Sequence, residues 1–198
     1  MLKSRPNVNF DPMFHIYTDR DSGDVIPSVT TILKRAGYVT SFYKGTDARD
    51  EGTEIHELTT MVDDTGMIPG GSSAKVDKCL EQYALFLLEC KAKRVRSECL
   101  VHSKTYGYAG TLDGAWSIGI EPYNGAILLG DIKTGSTIPS WCKLQLAAYD
   151  VADGATILRP PMARFALHLT PDKYKIKMYD QLGDYPVWIE TAKKFAGE

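Results

Sequence analysis

Apolar positions recur along the chain with two different periods. Residues 14–18, FHIYT, alternate as a short strand and run into the turn sequence DRDSGD. The stretch PSVTTILKRAG behind it returns to helical spacing, with Pro27 and Ser28 suited to a helix start and Gly37 to a stop. A second helix is predicted over residues 47–64. Within residues 72–93, Val76, Leu80, Tyr83, Leu87 and Cys90 recur every three or four positions, the mark of a helix with one buried face. From residue 95 the period drops to two, so that 95–102, 108–118 and 126–134 read as three successive strands. PSWCKLQLAAYDVADG is again helical, with Ser140 as its N-cap and Gly154 just past its end. After the Arg-Pro-Pro at 159–161, strands over 163–169 and 173–179 are joined by TPDK, and 184–198 suits a closing helix. This order predicts an α/β (α+β) fold, a central mixed sheet flanked by helices. One domain over 1–198 is expected, with a helical section at about 26–93 and a sheet-and-helix part at about 95–152.

Composition changes this picture little. With 43% hydrophobic and 24% charged residues, the 198-residue chain can fill one core and is not disordered. The longest apolar stretches, such as YALFLL, are too short to cross a bilayer, which predicts no membrane partner. The opening MLKSRPNVNF is basic but too short and serine-poor for a transit peptide, so a cytoplasmic protein is expected, in the host cytoplasm if phage-encoded. Cys79, Cys90, Cys99 and Cys142 form no C-x-x-C pair and are expected to be reduced thiols packed as small hydrophobes. A formal charge of −2 excludes a globally basic coat, although a local patch would suffice for nucleic acid. The basic run at 91–96 and the lysines at 173, 175 and 177 each read singly as solvated faces.

Candidate chemistry centres on LLGDIKTG, residues 128–135, where an apolar strand carries an acid and a lysine one residue apart. Alternation puts Asp131 and Lys133 on one face and Leu128 and Ile132 on the other. Whether Asp113 of GTLDGAW joins them depends on register. A two-residue Asn124-Gly125 hairpin would send Asp113 to the opposite face. A five-residue loop over 121–125 pairs Ile120 with Ala126, setting Asp113 against Lys133 and Ala115 against Asp131. The second register is expected, because Pro122 is awkward inside a paired strand.

Two neighbouring carboxylates repel, and a cation must sit between them. Lys133 alone would make a structural salt bridge. A hard divalent ion such as Mg²⁺, which takes one or two carboxylates plus substrate phosphate, is the other solution. Beside such an ion, Lys133 would orient or deprotonate a water, its pKa lowered by the neighbouring charge. Gln145 and Tyr149 lie four apart on one helical face, and that glutamine needs a polar partner. Glu98 is either a third carboxylate or an ordinary exposed strand residue. His56, in GTEIHELT, lacks the second histidine of a zinc-protease motif, because Thr60 stands in its place.

Taken in order, GTEIHE, SECLVHSKTYGYAGTLDGA, LLGDIKTG and LQLAAY resemble the PD-(D/E)xK nuclease superfamily in its branch of RecB-type and lambda-type exonucleases. With IPSVTTIL, they look most like phage recombination-type exonucleases and the mitochondrial genome maintenance exonuclease. The resemblance spans about residues 26–149. It implies a restriction-endonuclease-like core in which Asp113, Asp131 and the Ile132 carbonyl hold Mg²⁺ or Mn²⁺, with His56 and Glu98 supporting the site. Lys133 would handle the water, while Gln145 and Tyr149 would orient the lysine or hold the DNA backbone. The superfamily proline ahead of the first acid is Leu112 here. Cysteine spacing departs from the relatives that carry an iron-sulfur cluster, so none is expected. The implied activity is a metal-dependent exonuclease acting on duplex ends or single-stranded DNA in recombination, repair or phage DNA processing, with a single-strand annealing or recombination protein as a partner. The alternatives are a structure-specific endonuclease and a non-catalytic DNA-binding module.

Overall fold

A computed structural model describes residues 6–39, 46–156 and 163–197; Arg159–Pro161 and the start of the basic opening lie outside them. Among the described residues, eight strands and five helices follow in the order β1 (Val8–Asp11), β2 (Ile16–Asp19), β3 (Val25–Ile26), α1 (Val29–Arg35), α2 (Thr46–Thr65), α3 (Ala74–Glu89), β4 (Lys93–Ser103), β5 (Tyr108–Ser117), β6 (Ile127–Lys133), α4 (Cys142–Thr156), β7 (Arg164–Thr170), β8 (Lys173–Tyr179) and α5 (Asp184–Phe195). The larger sheet has the order β4-β5-β6-β7-β8. It is mixed, since β6 and β7 run parallel across the α4 crossover and the other neighbours run antiparallel.

Helices cover both faces of this sheet, and the strand alternation shows why. Leu128 and Ile132 of β6 pack with Leu80, Tyr83 and Phe86 of α3. Leu129 points the other way, into a cluster with Ile32 and Leu33 of α1, Leu144 and Ala148 of α4, and Trp188 of α5. Ser28 caps α1 by accepting the Thr31 N–H at 3.0 Å, and Gly37 follows the helix at φ +78°. Both ends of that helix are where the sequence puts them.

Several boundaries differ from expectation. Strands β1, β2 and β3 form a small antiparallel sheet of their own with β2 in the middle, and only β2 is among the strands expected from the sequence. Ser140 is not the N-cap of α4. It lies in the preceding turn, where the Pro139 carbonyl accepts the Cys142 N–H at 3.1 Å and the Trp141 carbonyl opens the helix. Nor does Gly154 end α4, which continues through it to Thr156. An interior glycine costs about 1 kcal/mol relative to alanine, and the unbroken run of buried positions from Leu144 to Asp150 outweighs that.

The basic run at 91–96 is not simply a solvated face. Arg94 turns inward with its side chain only 3% exposed, and its Nε lies 3.1 Å from Asp63 Oδ2 of α2. Its guanidinium sits 4.6 Å from the centre of the Trp116 ring and also donates to Thr59 and Thr60 of α2. Tyr83 of α3 donates to Asp63 at 2.8 Å and accepts from Trp116 Nε1 at 3.2 Å. Two helices and two strands are thereby tied at one buried ion pair. Removing one partner of such a pair leaves the other charge uncompensated, so Arg94→Met or Asp63→Leu alone should lose about 3–5 kcal/mol of stability. The double variant should recover most of it, as measured by urea unfolding.

Candidate active site

The ladder between β5 and β6 ends in a pair of glycines, Gly114 opposite Gly130. Neither position has room for a side chain, because the Trp116 ring fills that space. A Cβ on Gly130 would lie 2.5 Å from this ring and 2.6 Å from Phe165, and one on Gly114 would lie 2.8 Å from the ring. Beyond the glycines a side chain takes the place of the ladder: Asp113 Oδ2 accepts the backbone N–H of Ile132 at 2.8 Å. The Asp113 carboxylate is thus wedged into the fork of the two strands, against the residue between Asp131 and Lys133.

This register has the expected parity but is displaced by two residues. Ala115 pairs with Leu129 rather than Asp131. The cause is a longer loop, closed by Ile118 and Ala126 through Ile118 N–H to Ala126 O at 3.0 Å and Gly125 N–H to Ile118 O at 2.8 Å. The face of β5 also switches at this point. Leu112 and Ala115 belong to the same core cluster, so Asp113 and Gly114 interrupt simple alternation.

Two groups of polar side chains meet at the fork. On the α4 side, Asp131 is 1% exposed and its Oδ2 lies 2.5 Å from Lys133 Nζ. Lys133 also donates to Gln145 Oε1 at 3.1 Å, and Gln145 Nε2 donates to the Tyr149 hydroxyl at 2.9 Å. The helical pair Gln145 and Tyr149 therefore serves the lysine as one continuous chain of hydrogen bonds. Tyr149 fits there because Gly110 of β5 has no side chain, where a Cβ would come within 2.6 Å of its ring. Cys142, at the start of α4, places its Sγ 3.8 Å from Asp131 Oδ2. The ring of Trp141 lies 5.4 Å from Lys133 Nζ.

On the other side, His56 of α2, Glu98 of β4 and Asp113 of β5 each bring a ligand atom within 4.8 Å of the others. His56 Nδ1 lies 3.3 Å from Asp113 Oδ2. Glu98 reaches the group from the solvent side, out of a strand residue at φ +44°, an uncommon conformation for a glutamate. The structure thus brings all eight predicted positions into one region. Ile132 contributes its amide to Asp113, and Asp131 stands with the lysine rather than within the His56–Glu98–Asp113 group.

The electrostatics follow from crowding acids in a poorly hydrated fork. Burial pushes the Asp131 carboxyl up to about 6, against the pull of the Lys133 ammonium and with Asp113 adding to the rise. Burial alone would lower the Lys133 pKa. Asp131, Cys142 and Asp113 outweigh it, so without an ion beside it the ammonium is held charged. The Glu98 carboxyl is raised by burial and by Asp113, with His56 and Arg94 opposing. Three carboxylates against one buried ammonium leave a net demand for positive charge. Two oxygen donors and one imidazole nitrogen within 4.8 Å fit a small divalent ion, with Asp131 beside them.

Arg94, Asp63, Tyr83 and Cys142 were not singled out by the sequence as part of this neighbourhood. For the Arg94 network a signal existed: Tyr83 lies on the buried face of α3, and a buried tyrosine hydroxyl needs a partner. Cys142 gives no such signal. All four cysteines are free thiols.

No family model matches the chain, and no curated protein matches it. Among solved structures, the alkaline exonuclease LHK-Exo from Laribacter hongkongensis aligns at 14% identity over 82% of this chain and 82% of its own, with a TM-score of 0.38. The protein SSO0001 aligns at 12% identity over 84% of this chain and 82% of its own, with a TM-score of 0.33. Among the described residues no helix is long and apolar enough to cross a membrane.

Because cation and proton compete for the same buried carboxylates, Mg²⁺ or Mn²⁺ should raise the melting temperature at pH 8. Falling pH protonates Asp131 near 6 and should shrink this shift. Scanning calorimetry with and without the ion at pH 8 and pH 5 checks this, and Asp113→Asn should lose the shift at both.

Proposed function

We propose that the protein is a metal-dependent DNA nuclease, hydrolysing phosphodiester bonds at DNA ends or in single strands with Mg²⁺ or Mn²⁺. The observation that carries this reading is the Asp131–Lys133–Gln145–Tyr149 chain set against the His56–Glu98–Asp113 donor group at one strand fork. A purely structural salt bridge explains Asp131 and Lys133, but not why a histidine and two further acids gather beside it. The ordered motifs in the sequence resemble those of PD-(D/E)xK nucleases, and support the same assignment.

In this reading His56, Glu98 and Asp113 would hold the ion with Asp131 beside them, and the resemblance adds the Ile132 carbonyl as a further ligand. The bound ion supplies Lewis-acid charge neutralisation at the phosphate. The chain's own residues do the rest. Lys133, charged and fixed by Asp131 and Gln145, orients a water toward the phosphorus and steadies negative charge as it builds on the phosphate oxygens. Held charged by Asp131 in the absence of an ion, Lys133 serves as a positioning and electrostatic group; with a cation bound beside it, its pKa would fall, so that it would also take the proton of the attacking water. Tyr149 holds Gln145, and Gln145 holds the lysine in its working rotamer. Asp113 fixes the Ile132 peptide and so sets the direction of the neighbouring Asp131 and Lys133 side chains.

Purified protein with Mg²⁺ and end-labelled linear, single-stranded and covalently closed circular DNA tests the reading. Linear and single-stranded substrates should be shortened from their ends while closed circles persist; cutting of the circles would mean endonuclease action instead. Asp131→Asn and Lys133→Met should each lower turnover by at least about 100-fold, the scale of one transition-state electrostatic contact. Unchanged degradation by both variants would rule the assignment out. Gln145→Ala, acting only through the lysine, should reduce kcat by about tenfold with little change in KM.

A further inference from the structure

Beside the strand fork lies an open cleft of about 530 Å³ of which the catalytic reading uses only Glu98. One wall is the β1–β2 hairpin, with Asn9, Phe10 and Pro12, and the other is the β4–β5 pair, with Leu100, Thr111 and Glu98. Glu98 belongs both to this cleft and to the candidate ion-binding group, so an occupant of the cleft is next to the scissile position. Resting on the nuclease reading, we propose that this cleft receives one unpaired nucleobase of a single-stranded end, stacked on Phe10, with Arg20 at the rim to meet a backbone phosphate.

Four observations carry the assignment. The volume falls within the range of small-ligand clefts, about 300–1,000 Å³, and is ample for one nucleobase. Phe10 is a prepared stacking surface: its ring lies 4.7 Å from the buried Tyr17 ring at 25°, and His15 packs edge-on against it at 5.2 Å. Tyr17 is in turn anchored to the floor through its hydroxyl and Thr111 Oγ1, 2.9 Å apart. Arg20 is aimed, because its Nε donates to Asn9 Oδ1 at 2.9 Å.

The hairpin tip extends the same surface. Met13 and Phe14 are 83% and 66% exposed, although Asp11 Oδ1 accepts both of their backbone N–H groups, at 2.9 and 3.2 Å, and so shapes the turn. Apolar side chains shown to water on a built turn favour a flat apolar partner, and every nucleobase has one. An acid in the lining argues against a pocket for the phosphate itself. The base then lies against Phe10, and its phosphates run outward to Arg20 and inward to the fork.

The test is an abasic scan. Short single-stranded oligonucleotides carrying one tetrahydrofuran residue, stepped along the strand, are bound to the full-length protein with Ca²⁺ replacing Mg²⁺ and followed by fluorescence anisotropy. Wild type should lose about tenfold in affinity when the abasic residue occupies one position near the end, the scale of one stacked base. Phe10→Leu should show that loss on the intact strand and no further loss at the abasic position. A second readout needs no core substitution: 2-aminopurine at that position should be quenched on binding to wild type, and Arg20→Gln should weaken binding and flatten its salt dependence. A flat scan with unquenched 2-aminopurine, in a protein that still degrades DNA, overturns the cleft assignment and leaves the nuclease reading standing. Failure to bind or degrade any DNA overturns both.

Discussion

The contact on which the site depends is one hydrogen bond, from the Ile132 amide to the Asp113 carboxylate. A β-sheet ordinarily satisfies every backbone amide of an inner strand through its neighbours, and a strand fork breaks that rule. Here an acidic side chain takes over at the point where two glycines and the Trp116 ring end the ladder. Opening the strands gives space for charged groups within a core, and the carboxylate that fills the opening becomes one of those groups. Structural demand and chemical use coincide at Asp113.

The fork would be a poor place for acids if nothing opposed them. Lys133 provides one positive charge, and its partners Gln145 and Tyr149 come from the helix that immediately follows the strand. On the far side, Arg94 is buried against Asp63 and Trp116, and through Asp63, Thr59 and Thr60 it clamps α2, the helix that carries His56. The indole of Trp116 thus touches both arrangements: it fills the glycine gap at the fork and carries the guanidinium on its face. Packing and electrostatics are coupled here through a single aromatic ring.

Much of this was legible in the sequence because it is local. Periodicity places α3, the strands β4 to β8 and the face shared by Asp131 and Lys133, and the four-residue spacing of Gln145 and Tyr149 needs only helical geometry. The two-residue displacement of the β5–β6 register was not legible. Loop length there is set by Ile118 and Ala126 closing a wider turn than Asn124-Gly125 suggests. Arg94 was hidden by composition, since an arginine in a basic run looks solvated until the buried Asp63 across from it is known. The two-residue β3 is too short to establish a period, whereas β1 is as long as β2 and its Val8 and Phe10 alternate with polar residues, so that signal was there to be read. Ser140 and Gly154 followed the usual preferences of helix ends, and backbone carbonyls and core burial overrode both.

The spacing of the site residues along the chain has a consequence for how it assembles. Asp131, Lys133, Gln145 and Tyr149 lie within one strand–helix unit, whereas His56, Glu98 and Asp113 arrive from three separate elements. Closing long loops carries entropy that a contiguous unit avoids, so the lysine half can order with β6 and α4 alone while the histidine half waits for tertiary docking. Partial opening would then dismantle the two halves at different free energies, and α2, joined to β4 mainly through side chains, would give up its protection from hydrogen exchange first.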